Sequence, residues 1–93
     1  MAKFLHIGFN FDKSEPDHRH GKLVPVFDTA TDWLRYAPNC WIVYTTRTPA
    51  EWYELLKPHL EPEKDSVFIC ELDVNNRYGA LTEASWDWLQ KKR

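Results

Sequence analysis

Apolar residues crowd the start of the chain, where Phe4, Leu5, Ile7, Phe9 and Phe11 alternate with or adjoin Lys3, His6, Asn10 and Asp12. Aromatic and branched side chains in that density predict a strand from about Lys3 to Phe11 that runs into a polar loop. The segment from Asp12 to Gly21 is charged and carries Pro16, which predicts that loop. Leu23, Val26, Phe27 and Ala30 then recur at i, i+3, i+4 and i+7, the apolar stripe of a helix over about Leu23 to Ala30. Pro25 suits such a helix in its first turn, where its missing N–H removes no hydrogen bond.

From Thr31 to Ala37 two readings compete. Trp33, Leu34 and Ala37 can extend the helix, or Trp33-Leu34-Arg35-Tyr36 can form a short strand that turns at Pro38-Asn39. The hairpin is the preferred reading, because Cys40 to Thr46 is dense in β-branched and aromatic residues and predicts a strand of its own. Thr48-Pro49-Ala50-Glu51 then carries a helix-start signature: a capping hydroxyl, proline at the first helical position and a capping-box acid. Trp52, Leu55, Leu56 and His59 continue at helical spacing until Pro58 and Pro62 end the pattern. Ser66 to Val74 predicts another strand, Asn75 to Gly79 a loop, and Thr82 to Lys92 a final helix carrying Trp86, Trp88 and Leu89.

The predicted order is strand, helix, strand, strand, helix, strand and a helical tail. That order defines an α+β class, a ferredoxin-like βαββαβ antiparallel sheet with two helices on one face and a C-terminal helical tail. Residues 1–93 make a single domain, short enough that its core must be dense. Five tryptophans and 15% aromatic residues supply that density and exclude a disordered chain. They also exceed what a small core needs, which leaves rings for a partner surface.

Charge narrows the function classes. A net charge of −2 and a pI near 6.0 argue against a protein that coats nucleic acid without specificity. No apolar run approaches membrane-spanning length, and no basic region followed by an apolar block opens the chain, so a cytoplasmic protein with no membrane partner is expected. Cys40 and Cys70 lie in apolar strand-like runs and are expected as buried, reduced thiols.

Three places carry side chains fit for chemistry. Asn10 and Asp12 end the first strand, where a carboxylate can hold Mg²⁺ and two such groups across a dimer axis can clamp a phosphodiester; the plainer role of a solitary Asp there is to shape the turn. Asp17-His18-Arg19-His20 offers two imidazoles to a transition metal, or Arg19 to a phosphate, although a solvated loop explains it fully. Tyr44-Thr45-Thr46-Arg47-Thr48 places Arg47 beside a helix N-terminus, where it can grip a phosphate. The plainer account makes Thr48 a cap and Arg47 a solvated neighbour.

The stretches Phe4-Leu5-His6-Ile7-Gly8-Phe9, Cys40-Trp41-Ile42-Val43, Leu56-Lys57-Pro58-His59-Leu60, Asp65-Ser66-Val67-Phe68, Tyr78-Gly79-Ala80-Leu81 and Trp88-Leu89 resemble small bacterial proteins of the SinR family. These in turn are similar to the CRISPR-associated Cas-two proteins and the VapD-type ribonucleases. The resemblance runs over nearly the full length on short, apolar motifs. It implies a ferredoxin-like fold, a homodimer and contact with RNA or DNA. In the nuclease relatives an aromatic-Asp pair ends the first strand and its Asp binds the divalent metal. Here the matching pair is Phe9-Asn10, and a neutral amide is a poorer metal ligand than a carboxylate. Asp12, two residues on, points to the same face if the strand continues.

Three functions are expected on these grounds. The first is a Cas-two-like homodimer that is noncatalytic and serves as a nucleic-acid-associated or interaction module. The second is a Mg²⁺-dependent endoribonuclease using Asp12, with Arg47 near the phosphate. The third is a toxin–antitoxin or phage-defence component that acts through a protein partner.

Overall fold

Strict alternation along the first strand organises the molecule. Leu5, Ile7 and Phe9 are buried while His6 and Gly8 between them are half-buried, the period-two signature of a strand with two different faces. The computed structural model describes residues 2–11, 16–73 and 78–91, with 16–20 described by their backbone. Its elements are β1 (Lys3–Asn10), α1 (Pro16–Phe27), β2 (Asp32–Ala37), β3 (Cys40–Thr45), α2 (Pro49–Leu56), β4 (Ser66–Leu72) and α3 (Glu83–Gln90). A 3₁₀ turn over Lys57–His59 continues α2.

The four strands form one antiparallel sheet in the order β2-β3-β1-β4. The longest strand, β1, therefore lies inside the sheet, between β3 and β4. Pairing sets the faces. Leu5 opposes Val43, and Ile7 opposes both Trp41 and Ile69. These residues meet Leu23 and Phe27 of α1 and Trp52 and Leu56 of α2 in a single buried cluster. The other face carries Phe4, His6, Gly8 and Asn10 of β1, with Tyr44, Ile42 and Cys40 of β3 and Leu72, Cys70 and Phe68 of β4 opposite them.

The helix α1 begins well before the expected start, so the loop expected from Asp12 to Gly21 gives way to helix from Pro16. Pro16 occupies the first helical position, where its fixed φ and missing N–H suit a start. Pro25 then falls in the last turn rather than the first. The helix closes at once, with Asp28 and Ala30 N–H bonding to the carbonyls of Val24 and Phe27. The helix α2 starts as its sequence predicts. Thr48 Oγ1 accepts from the Glu51 N–H at 3.2 Å and Glu51 Oε1 accepts from the Thr48 N–H at 3.1 Å, the reciprocal capping box.

The segment Asp32–Ala37 is a strand, as the hairpin reading requires, and its pairing with β3 slips between Arg35 and Ala37. The helical tail packs on its own sheet, across the face opposite α1 and α2. Trp88 meets Phe4 edge to face with centroids 5.9 Å apart, Leu89 is buried, and Lys91 Nζ lies 4.0 Å from Asp32 Oδ2. No helix among the described residues is long and apolar enough to cross a membrane.

Candidate functional site

The end of β1 fixes where the first candidate stands. Phe9 turns inward, stacked on Phe11 with centroids 5.1 Å apart and edge-on to Trp41 at 5.4 Å. Its N–H donates to the Asn39 carbonyl at 2.9 Å. That anchoring turns the side chain of Asn10 to the second face, where it is exposed and opposes Ser66 of β4. A depression of about 280 Å³ opens there, lined by Gly8, Phe9, Asn10, Ser66, Val67 and Phe68. Among the described residues its polar side chains are an amide and a hydroxyl. Such groups donate and accept hydrogen bonds but bring no negative charge to a divalent cation. Asp12, the other residue expected at this end, lies outside the described residues.

Arg47 is held elsewhere. Thr45 pairs with Lys3, so Arg47 lies beyond the start of β1 while Asn10 is at its end. Seven strand steps of about 3.3 Å separate the two by roughly 23 Å within one chain. The antiparallel pairing of β1 with β3 thus puts Arg47 and Asn10 at opposite ends of the sheet within one chain. The guanidinium is also engaged, with Nη1 donating to Thr29 Oγ1 at 2.8 Å and to the Thr29 carbonyl at 3.3 Å, and Cζ 5.7 Å from the Trp52 ring centre. At the neighbouring start of α2, the Glu51 carboxylate already meets the free N–H of Thr48. Hydrogen bonds from Thr48 hold that carboxyl below its ordinary pKa. A helix start that carries its own anion is a poor phosphate site.

Thr45 itself is a buried hub, 2% exposed. Its Oγ1 accepts from Trp52 Nε1 at 3.2 Å and from the Arg47 N–H at 3.1 Å. The hydroxyl-rich strand end thus serves the packing of α2 on the sheet. Asp17, His18, Arg19 and His20 fall in the first turns of α1 rather than in a loop, and their side chains lie outside what the structure describes. Among the described residues, no group of three His, Cys, Asp or Glu side chains is placed to hold a metal.

The residues that the sequence did not single out lie on the second face. His6 Nε2 and the Tyr36 hydroxyl are 2.5 Å apart, joining β1 to β2 across β3. The slip in β2 accompanies this reach, since it breaks the pairing beside Tyr36. Burial lowers the His6 pKa below its ordinary value by disfavouring the charged imidazolium. Burial first, and then Cys40 and Cys70 beside it, push the Tyr36 phenol up to about 12. The two cysteines are half-buried and free, not buried as expected, because they occupy the second face, which α3 covers only in part. With β1 between their strands, and their partners Gly8 and His6 two residues apart on it, they stand about 12 Å apart, beyond the reach of a disulfide.

Gly8 leaves room for the His6 ring. A Cβ at position 8 would stand 3.1 Å from His6 Cε1, closer than ordinary contact. Beside Gly8, on β4, the Phe68 ring is 68% exposed. The signal for both was present in the period of β4: Val67 and Ile69 are apolar on one face, and Phe68, Cys70 and Leu72 are apolar on the other. A strand apolar on both faces expects cover on both. No protein-family model, no curated protein and no solved structure matches the chain.

Proposed function

We propose that this protein is a ferredoxin-like module of the Cas-two and VapD-like kind that acts by association as a homodimer and does not cleave nucleic acid. The strand order β2-β3-β1-β4, in which β1 lies between β3 and β4 and β2 takes the edge, supports the ferredoxin-like reading. The observation that carries the function is the bare end of the second face. There β4 holds the Phe68 ring in solvent beside Gly8 and Cys40, in a strip that α3 leaves open. An aromatic ring of this kind, ordered by the sheet and backed by small residues, is the usual anchor of a protein interface.

Among the described residues the end of β1 is neutral, which favours association over catalysis. Asn10 stands where the resemblance calls for the metal-binding carboxylate, and its neighbour across the sheet is Ser66. Phosphodiester cleavage by a divalent metal needs anionic ligands to hold the ion and to orient the attacking water.

The test is cleavage of labelled single-stranded RNA and duplex DNA by folded protein in Mg²⁺, Mn²⁺ or EDTA, with Asp12→Ala beside it. The expected result is no metal-dependent cleavage by either protein. Metal-dependent cleavage that Asp12→Ala abolishes would overturn the proposal and establish the endoribonuclease alternative.

A further inference from the structure

We infer that two copies of this chain join along the free edge of β4, antiparallel and with Ile69 across from the partner's Ile69, so that the two sheets run on as one. This rests on the homodimer proposed above and states how it is built.

Backbone directions single out the residues that make the contact. The Phe9 N–H donates to Asn39 on the β3 side, and along an antiparallel strand successive residues turn their N–H and C=O to alternate sides. Phe4, His6, Gly8 and Asn10 therefore bond to β4, through Leu72, Cys70, Phe68 and Ser66. Val67, Ile69 and Glu71 are left with N–H and C=O turned outward. The strand order ends at β4, and among the described residues no backbone group beyond it bonds to these three.

The two edges of the sheet differ. Edge strands are commonly blunted by charges, prolines or bulges that deter pairing with another chain. The strand β2 has such devices, since it carries Asp32 and Arg35 and its pairing slips between Arg35 and Ala37. By contrast, β4 pairs with β1 without a break from Ser66 to Leu72, holds no Pro or Lys, and is apolar from Val67 to Cys70. Its single charge, Glu71, is paired with Lys3 Nζ at 3.0 Å, so two such edges meet without repulsion.

A second copy fits this edge because the outward residues are symmetric about Ile69. A two-fold axis there sets Ile69 against the partner's Ile69 and Val67 against the partner's Glu71, which gives every outward N–H a carbonyl. It also sets Phe68 across from the partner's Cys70 in the closer, non-hydrogen-bonded kind of pair, with Cα atoms about 4.5 Å apart. The Phe68 ring, 68% exposed in the single chain, is then covered.

The test is amide hydrogen exchange of the wild-type protein, read residue by residue above and below the concentration at which the dimer dissociates. The expected result is that Val67, Ile69 and Glu71 exchange about tenfold or more slowly in the dimer, while Phe68 and Cys70, bonded to β1, are protected in both states. Glu71→Pro removes an outward donor without touching the ladder to β1, a place where proline is tolerated. It should sediment at the single-chain mass, whereas Glu71→Ala, which keeps the N–H, should dimerise as wild type does. A dimer whose three outward amides exchange as fast as in the monomer would overturn the inference and leave the homodimer standing. So would a Glu71→Pro protein that folds and dimerises as well as wild type, or a monomeric Glu71→Ala. Should Glu71→Pro not fold, the exchange result decides alone. A wild-type chain that is monomeric at every concentration would overturn the inference and the homodimer together.

Discussion

Replacing Phe27 with alanine is expected to cost about 3–5 kcal/mol of folding stability. The side chain is fully buried at the end of α1, where the helix meets both the sheet and α2. Its ring stacks on Trp41 with centroids 4.7 Å apart and planes 10° apart, and on Trp52 at 5.9 Å and 22°. Trp33 lies at 6.1 Å and the edge of Phe9 at 6.4 Å. Alanine would leave a cavity walled by four large flat rings, each fixed by its own strand or helix. Such walls collapse poorly, which places the cost at the upper end of the range for core truncations. A domain of this size has roughly 5–14 kcal/mol in total, so the variant loses a third or more of it. Urea denaturation should show the midpoint fall sharply, and the thermal midpoint should drop by about 15 °C or more. A midpoint within a degree or two of wild type would show that Phe27 is not the keystone of this aromatic stack.

The second large effect is expected at Thr45. Valine has nearly the same shape, so Thr45→Val keeps the packing and removes only the hydroxyl oxygen. That oxygen accepts from the buried indole N–H of Trp52 and from the backbone N–H of Arg47. A donor left without a partner in the interior costs about 1–3 kcal/mol, and here the indole has no route to water because Trp52 is fully buried. The expected loss is therefore about 2–3 kcal/mol, with the far-ultraviolet circular dichroism unchanged. Thr45→Ser, which keeps the oxygen, should recover most of it. A Thr45→Val variant as stable as wild type would mean that the hydroxyl contributes packing alone.

What the sequence made legible was local. The capping box at Thr48 and Glu51 needs only its own four residues, and the structure reproduces it. Dense β-branched and aromatic runs marked β1, β3 and β4 to within two residues at their ends. The start of α1 was hidden because Pro16 sits in a charged segment, and a proline opens a helix only when the residues after it find a surface to pack on. Pro25 was misplaced for a related reason: a proline suits either end of a short helix, and tertiary packing of Leu23 and Phe27 chose the longer one.

The candidate site was less legible because it depends on register. That Asn10 opposes Ser66, and that Arg47 stands at the other end of the sheet, are consequences of strand pairing that no local motif encodes. The His6–Tyr36 contact joins residues thirty positions apart and accompanies the slip in β2. The placement of α3 on its own sheet was likewise beyond periodicity, since an amphipathic helix states that it needs a partner and not which one. The paired apolar faces of β4 were the one clue, and α3 answers it only at the Leu72 end, leaving Phe68 bare.

That bare ring makes the central claim testable by mass. Sedimentation velocity of the wild-type protein over a range of concentrations, beside Phe68→Asp, measures association at the proposed surface. A charge placed at the centre of an apolar contact is costly to bury, while at an exposed position it leaves the fold intact. The expected result is a wild-type species of about twice the 11.1 kDa chain mass and a Phe68→Asp species of the single-chain mass with unchanged circular dichroism. A wild-type protein that stays monomeric at every concentration, or a Phe68→Asp variant that dimerises as well as wild type, would contradict it.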